Sequence, residues 1–202
     1  MLTGVVCGAT FRLFEIGNRF TGTWKRISHL KLREVLVVDV VDCIRERRSI
    51  RRFKQKEVEE EKIVILLDAM RWAPSAGNSQ PWEFMIIRDK EILTEISSEA
   101  PYGSFIADAP LAIAIITDPK TSRWHIVDGS LASQNLQLAA WALGLGTCWI
   151  GSMNRESVKE ILNIPKEKYL LTVFPLGYPD EKPVKSRKSL EELVRNKKRS
   201  FR

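Results

Sequence analysis

Apolar and polar residues recur along this chain at two periods, and the periods predict its elements. Val37, Val40, Val41 and Ile44 fall at helical spacing, which predicts a helix over about 39–47 with Asp39 as its cap. A second helix is predicted from about Glu59 to Trp72. Its acids cluster at the start, and Ile63, Leu66, Leu67 and Met70 form an apolar stripe. Pro74 then stops it. "SAGNSQP" reads as a loop, with Gly77 and Asn78 suited to unusual backbone angles. Residues 82–88 read as a strand, 89–99 as a helix, and the near-continuous apolar run 109–117 as a strand buried on both faces. A long helix follows over about 126–143. It is apolar nearly all round, as befits a central or interfacial helix, and Gly144 and Gly146 end it. Residues 147–151 are predicted as a short strand. A helix capped by Asn154 follows, then a buried strand over 169–177 and a last helix opened by a Ser189–Glu192 capping box. Helices and strands interleave without an internal repeat, which gives an α/β-type layered domain.

Composition narrows the classes of function. The 202 residues are 44% hydrophobic and 8% aromatic, enough for one sizeable core. The net charge of +7 favours anionic ligands or surfaces. The three cysteines, Cys7, Cys43 and Cys148, form no CxxC pair, and His29 and His125 are far apart. Neither a disulfide framework nor a metal centre is expected, and a reducing, cytoplasmic location is. No apolar run approaches a membrane span. Residues 1–36 read differently from the rest. No cation precedes Arg12, so they make a poor secretory signal. They stand as an N-terminal extension of unknown role, with an organellar presequence or an over-long reading frame as alternatives.

Four stretches could carry chemistry. "RERRSIRRFKQK" (45–56) sets seven cations around one serine. Arg47, Arg48, Ser49 and Arg51 sit where a helix gives way to extended chain, and they offer the converging charge-assisted donors that a phosphate monoester needs. A solvated helix end is the commoner origin of such a run. A nucleic-acid patch stays open, although Phe53 is the only aromatic within the run and no nucleic-acid motif accompanies it. "APSAGNSQPW" (73–82) places the amides of Asn78 and Gln80 between two prolines, a donor–acceptor mixture suited to a flat heterocycle or to a polar turn. "GLGTCWIGSM" (144–153) is not a GxGxxG fingerprint and follows a helix, so a dinucleotide-binding Rossmann motif is rejected. Gly151 after a short strand can bring a backbone N–H close to a ligand. In "KPVKSRKSL" (182–190), Lys185 and Arg187 point the same way if extended and can add donors to a phosphate, or simply form a solvated basic tail.

Taken in order, "RRSIRRF", "APSAGNSQPWEF", "ASQNLQLAAWALGLGTCWIG" and "PLGYPDEKPVKSR" resemble the nitroreductase-like, FMN-dependent oxidoreductases over about Val38 to Val194. That resemblance implies an α+β three-layer sandwich with a mixed, mainly antiparallel sheet over 37–202. It also implies a homodimer with FMN at the subunit interface. Carried over by motif, Arg47, Arg48, Ser49 and Arg51 hold the phosphate and ribityl chain, joined by Lys185 and Arg187. Pro74, Ser75 and Ala76 line the flavin from the other subunit, Asn78 bonds its polar edge, and Ile150 and Gly151 lie by N5. Larger members carry an acid where Ile150 stands. The implied activity is ping-pong transfer from NADH or NADPH to nitroaromatic, quinone or flavin-type acceptors, with no side chain as nucleophile and no nucleic-acid or membrane partner. Within the family, dehalogenation or flavin cleavage is the alternative; outside it, a non-catalytic flavin-binding or basic scaffold. Cys148 reads as a packed thiol, and His125 as a surface residue ahead of the alternative, part of a substrate pocket. Trp124 and Tyr102 read as lid or ordinary packing.

Overall fold

The computed structural model of the chain describes residues 39–196. The expected extension over 1–36, with Cys7 and His29, lies outside them. Four strands form one sheet: β1 (Trp82–Ile87), β2 (Leu111–Thr117), β3 (Gly146–Thr147) and β4 (Tyr169–Gly177). Their order is β1-β2-β4-β3, and every neighbouring pair is antiparallel. The interleaved pattern read as α/β thus folds as α+β. Among the described residues the parallel component is one bridge, Ser49 with Thr147, beside β3.

All seven residues of β2 are buried, as its unbroken apolar run predicts. Alternate side chains feed two cores. Leu111, Ile113 and Ile115 pack with Ile63, Leu66 and Met70 of α2 (Glu60–Arg71) and Leu136 and Ala140 of α4 (His125–Ala142). Ala112, Ala114 and Ile116 pack with Leu93 and Ile96 of α3 (Lys90–Ser98) and Val158 of α5 (Arg155–Ile161). Helices on both faces of the sheet make three layers. Two short helices complete the described chain, α1 (Val40–Glu46) and α6 (Leu190–Leu193). None of the helices in this part is long and apolar enough to cross a membrane.

The caps fall where the sequence puts them. Asp39 accepts from the N–H groups of Val41 and Asp42, Asn154 accepts from Ser157, and Ser189 with Glu192 closes a capping box. One strand is shorter than predicted: 147–151 contributes only Thr147. Continued in register, β3 would next set Cys148 opposite Pro175, which has no N–H for the ladder. The chain leaves the ladder there, and the Thr172 hydroxyl donates to the Ile150 carbonyl at 3.0 Å instead. α4 is apolar on two sides rather than nearly all round. Ala132, Leu136 and Ala140 are buried, while Ile126, Val127 and Leu131 are exposed.

At the Trp82–Thr117 end of the sheet, Lys168 Nζ lies 2.9 Å from both Asp118 and Glu83. The Lys168 hydrogen bond, then the Lys120 backbone N–H, holds the Asp118 carboxyl at about 2 against an ordinary 3.8. A depressed folded-state pKa stabilises the fold above about pH 4, and that contribution fades as the pH falls through about 2. Lys168→Met is therefore expected to cost about 1 kcal/mol near neutrality, the size fitting a pair about one-fifth exposed. The difference in Tm from wild type should close towards pH 2. A gap independent of pH from 7 to 2 would show that charge contributes nothing here.

Candidate functional site

The arginine-rich segment is extended chain fastened on two sides. Arg47 is the C-cap of α1, its N–H bonded to the Cys43 carbonyl at 2.9 Å. Ile50 N–H then donates to Thr147 at 3.0 Å, joining the segment to the β3 edge. Beyond it, Phe53 bridges Pro179, Lys54 N–H donates to Tyr178, and Asp180 N–H donates to Arg52. Glu181 accepts from the backbone N–H groups of Arg51 and Arg52. The chain leaving β4 is thereby laid along the arginine segment.

This pairing brings Arg187 within electrostatic reach of Arg47. Burial first, then Arg187 and Arg48 beside it, pulls the Arg47 guanidinium below its ordinary pKa. Arg48 spends Nη1 on its own turn, donating to Arg45 at 2.7 Å and Arg47 at 3.0 Å. Arg51 is exposed, its guanidinium 5.9 Å from the centre of the Phe105 ring. Arg187 donates to the Ser186 carbonyl at 2.9 Å, and Lys185 stands exposed two residues before it. Arg47 Nη1, in contrast, is buried with no hydrogen-bond partner among the described residues. Cys148 lies against the same cluster, near Ser49, Arg47 and Arg51. It is buried, and burial outweighs those neighbours and pushes its thiol up, so it rests as a packed thiol.

The second predicted group forms the loop between α2 and β1. A single 3-10 turn covers Ala76–Asn78, and φ is positive at Gly77 (59°), Asn78 (54°) and Gln80 (48°). Gly77 suits this without cost; Asn78 and Gln80 are held in it by local bonds. Gln80 N–H donates to the Ser75 hydroxyl at 2.9 Å, and the Gln80 amide donates to the Asn78 carbonyl at 3.3 Å. Pro74, Ala76 and Asn78 are exposed and Ser75 half-buried. The Ser79 hydroxyl is buried with no partner among the described residues.

Ile150 is buried and Gly151 exposed. They lie midway along β4, the Ile150 carbonyl at Thr172 and the Gly151 carbonyl accepting from Arg155. The three groups therefore follow a diagonal across the sheet. The arginine cluster sits by Thr147 and Leu176, Ile150–Gly151 by Thr172, and the loop by Trp82 and Thr117. Strand spacing and rise set the ends of that diagonal roughly 25 Å apart. The structure joins Arg47, Arg48, Ser49, Arg51 and Arg187 at one end and Pro74, Ser75, Ala76 and Asn78 at the other. Within one chain it does not join the two sets.

Three residues outside the sequence prediction shape these groups. Asp128, 2% exposed on α4, accepts from Ala76 N–H at 3.0 Å and from the Ser122 hydroxyl at 2.9 Å. Its signal was available: the one Asp, Glu, Lys or Arg in the eighteen residues of α4. Ser79 and Glu181 carry no such signal, since both sit in polar loops. His125 departs from the expected surface position. It is half-buried, Nδ1 lies 2.8 Å from the Thr117 hydroxyl, and its ring meets Tyr169 edge-on. Trp124 and Tyr102 are exposed, with Arg123 over the Trp124 ring. A separate cavity of about 580 Å³, lined by Gln55, Lys56, Arg88 and Lys90 among others, includes none of the predicted residues. Among the described residues no cluster of His, Cys, Asp and Glu could hold a metal ion.

Comparison with known proteins places this geometry. The family model described as "Nitroreductase family" matches residues 44–101 and 94–178. A Methanothermobacter thermautotrophicus protein, provisionally named NADH dehydrogenase/NAD(P)H nitroreductase, is 40% identical over 157 residues, which are 74% of this chain and 82% of the relative. A crystal structure of a protein with the same provisional name from Bacteroides thetaiotaomicron superposes with a TM-score of 0.74 at 34% identity, covering 78% of this chain and 96% of that one. An FMN-dependent nitroreductase of Clostridium difficile gives a TM-score of 0.68 at 34% identity, covering 75% and 93%. By the match across its core and the identity to relatives it nearly spans, the chain belongs to the nitroreductase family.

Proposed function

We propose that this protein is an FMN-dependent NAD(P)H oxidoreductase that works as a homodimer. Nitroaromatics, quinones or flavins are its acceptors. The observation that carries the reading is the pair of buried polar atoms left unpartnered among the described residues. One is Arg47 Nη1, in the arginine cluster; the other is the Ser79 hydroxyl, in the predicted ring-binding loop. Folded proteins leave few such atoms, and a buried unsatisfied donor costs about 1–3 kcal/mol. An anionic, hydrogen-bonding ligand held between the arginine cluster of one chain and the loop of a second copy would satisfy both.

Arg47, with Arg187, Arg48, Ser49 and Arg51 near it and Lys185 two residues before Arg187, would hold the FMN phosphate and ribityl chain. The like charges of Arg47 and Arg187 then become an asset, since a dianion between them replaces repulsion by two charge-assisted contacts. Pro74, Ser75, Ala76 and Asn78 would meet the ring, and Ile150 and Gly151 would flank N5. The diagonal separation of these groups in one chain, and the exposed Ile126, Val127 and Leu131 on α4, support a site completed by a second copy. Bound FMN supplies the hydride chemistry; the protein supplies position and electrostatics. Nicotinamide donor and acceptor use one place in turn, which gives ping-pong kinetics. The FMN-dependent relative from Clostridium difficile agrees with this reading.

Reconstitution tests it. The purified chain incubated with FMN and desalted should retain about one yellow flavin per chain, and anaerobic NADH or NADPH should bleach it. An acceptor added afterwards should restore the colour. A chain that takes up no FMN would overturn the proposal.

A further inference from the structure

We propose that Asp128 is a positioning residue, clamping the 74–80 loop in the shape that meets the flavin; this rests on the function proposed above. Asp128 projects from the first turn of α4 and is almost wholly buried. An ionised carboxylate in such a place is retained only when its oxygens are well bonded. Here each oxygen has its own task. Oδ1 accepts the Ala76 N–H at 3.0 Å, in the middle of the loop. Oδ2 accepts the Ser122 hydroxyl at 2.9 Å, and the Ser122 oxygen accepts the Trp124 N–H at 3.0 Å. One side chain thus ties together the loop, the turn after β2 and the start of α4.

The loop needs such an anchor. Its other bonds, Gln80 N–H to the Ser75 hydroxyl, the Gln80 amide to Asn78, Asn78 N–H to Ser75, Ser79 N–H to Ala76 and Trp82 N–H to Gln80, stay within the loop or its own strand and set its shape; Asp118 N–H holds the Pro81 carbonyl just past its end, which leaves the middle of the loop to Asp128. Three of its residues have positive φ, two of them non-glycine, a conformation that persists only when the surroundings determine it. Ala76 N–H to Asp128 crosses from loop to helix, between Ser75 and Asn78. Both partners donate to the carboxylate, so replacing one oxygen by an amide NH2 sets a donor against a donor. Position transmitted through a backbone bond governs how tightly and in what orientation a ligand is held, while the phosphate cluster at the other end of the diagonal stays intact.

The test compares wild type, Asp128→Asn and Ser122→Ala, the last of which leaves the buried charge in place. Hydrogen exchange at the Ala76 amide is read on the FMN-free protein. FMN affinity is read by fluorescence quenching and ring orientation by visible circular dichroism. Asp128→Asn should speed Ala76 exchange and weaken FMN by about tenfold or more each, the scale of one lost charge-assisted bond. The visible dichroism of its bound flavin should change. Ser122→Ala should move all three readouts the same way but less. Unchanged Ala76 exchange in both variants overturns the clamp. Faster exchange with wild-type FMN affinity and dichroism reduces Asp128 to a structural residue and also overturns it. A wild-type chain that takes up no FMN sinks the flavin reading, and the role of Asp128 in it; wild-type uptake with insensitive variants sinks the Asp128 role alone.

Discussion

Replacing Arg47 and Arg187 together with alanine is expected to weaken FMN binding roughly 10²–10⁴-fold while leaving the FMN-free protein as stable as wild type or more so. The two effects share one cause. A guanidinium on phosphate is worth about 1.5–3 kcal/mol, and two are removed. Without ligand the same groups oppose folding. Arg47 Nη1 is buried without a partner among the described residues, and Arg187 presses on its charge. Removing one partner of a satisfied buried pair destabilises strongly, but here no partner is left stranded. Isothermal titration with FMN and thermal melts of the FMN-free forms measure both halves. FMN affinity at the wild-type level would contradict the phosphate assignment. A melt lowered by several degrees without ligand would mean that these arginines hold the fold rather than a cofactor.

The contrast between local and distant order explains what was legible in the sequence. The buried strands β2 and β4 write unbroken apolar runs, and Asp39, Asn154 and Ser189 are local caps, so both were readable from neighbouring residues. The end of β3 was not, because it is decided by Pro175, nearly thirty residues away on the partner strand. The antiparallel sheet was missed by the interleaving of helices and strands and supplied by the family resemblance, since pairing direction leaves no trace in a strand's own pattern. At the site, the arginines and the loop announced themselves by composition. Asp128 showed itself as a lone acid in its helix but its partner did not, and Glu181 showed neither, for each works through a backbone N–H, that of Ala76 or of Arg51, which the sequence never displays.

Gly146→Ala is expected to destabilise the fold by about 3 kcal/mol and to weaken FMN binding with it. Gly146 opens β3 at the point where the arginine segment docks. A Cβ there would stand 2.5 Å from Ile50 Cγ1 and 2.7 Å from Ile50 Cβ. Ile50 has little freedom to give way. It is wholly buried with Phe53 and Ala109, and its branch at Cβ restricts χ1. Overpacking of this kind costs about 1–3 kcal/mol, and a clash with a branched carbon rather than a flexible tip puts this site at the upper end. For a domain of this size that lowers Tm by about 6–12 °C. The strain can relax only by lifting residues 49–51 from Thr147, which displaces Ser49 and Arg51 from the cluster. Gly146→Ala should therefore lose FMN affinity and stability together, whereas the double arginine variant loses affinity alone. Ile50→Ala combined with Gly146→Ala removes both Cγ contacts and should recover part of the FMN affinity, though the cavity it leaves keeps Tm low. A Gly146→Ala protein melting within about 2 °C of wild type would show that the arginine segment is not seated on β3 through Ile50, and the geometry proposed for the phosphate end of the site would lose its support.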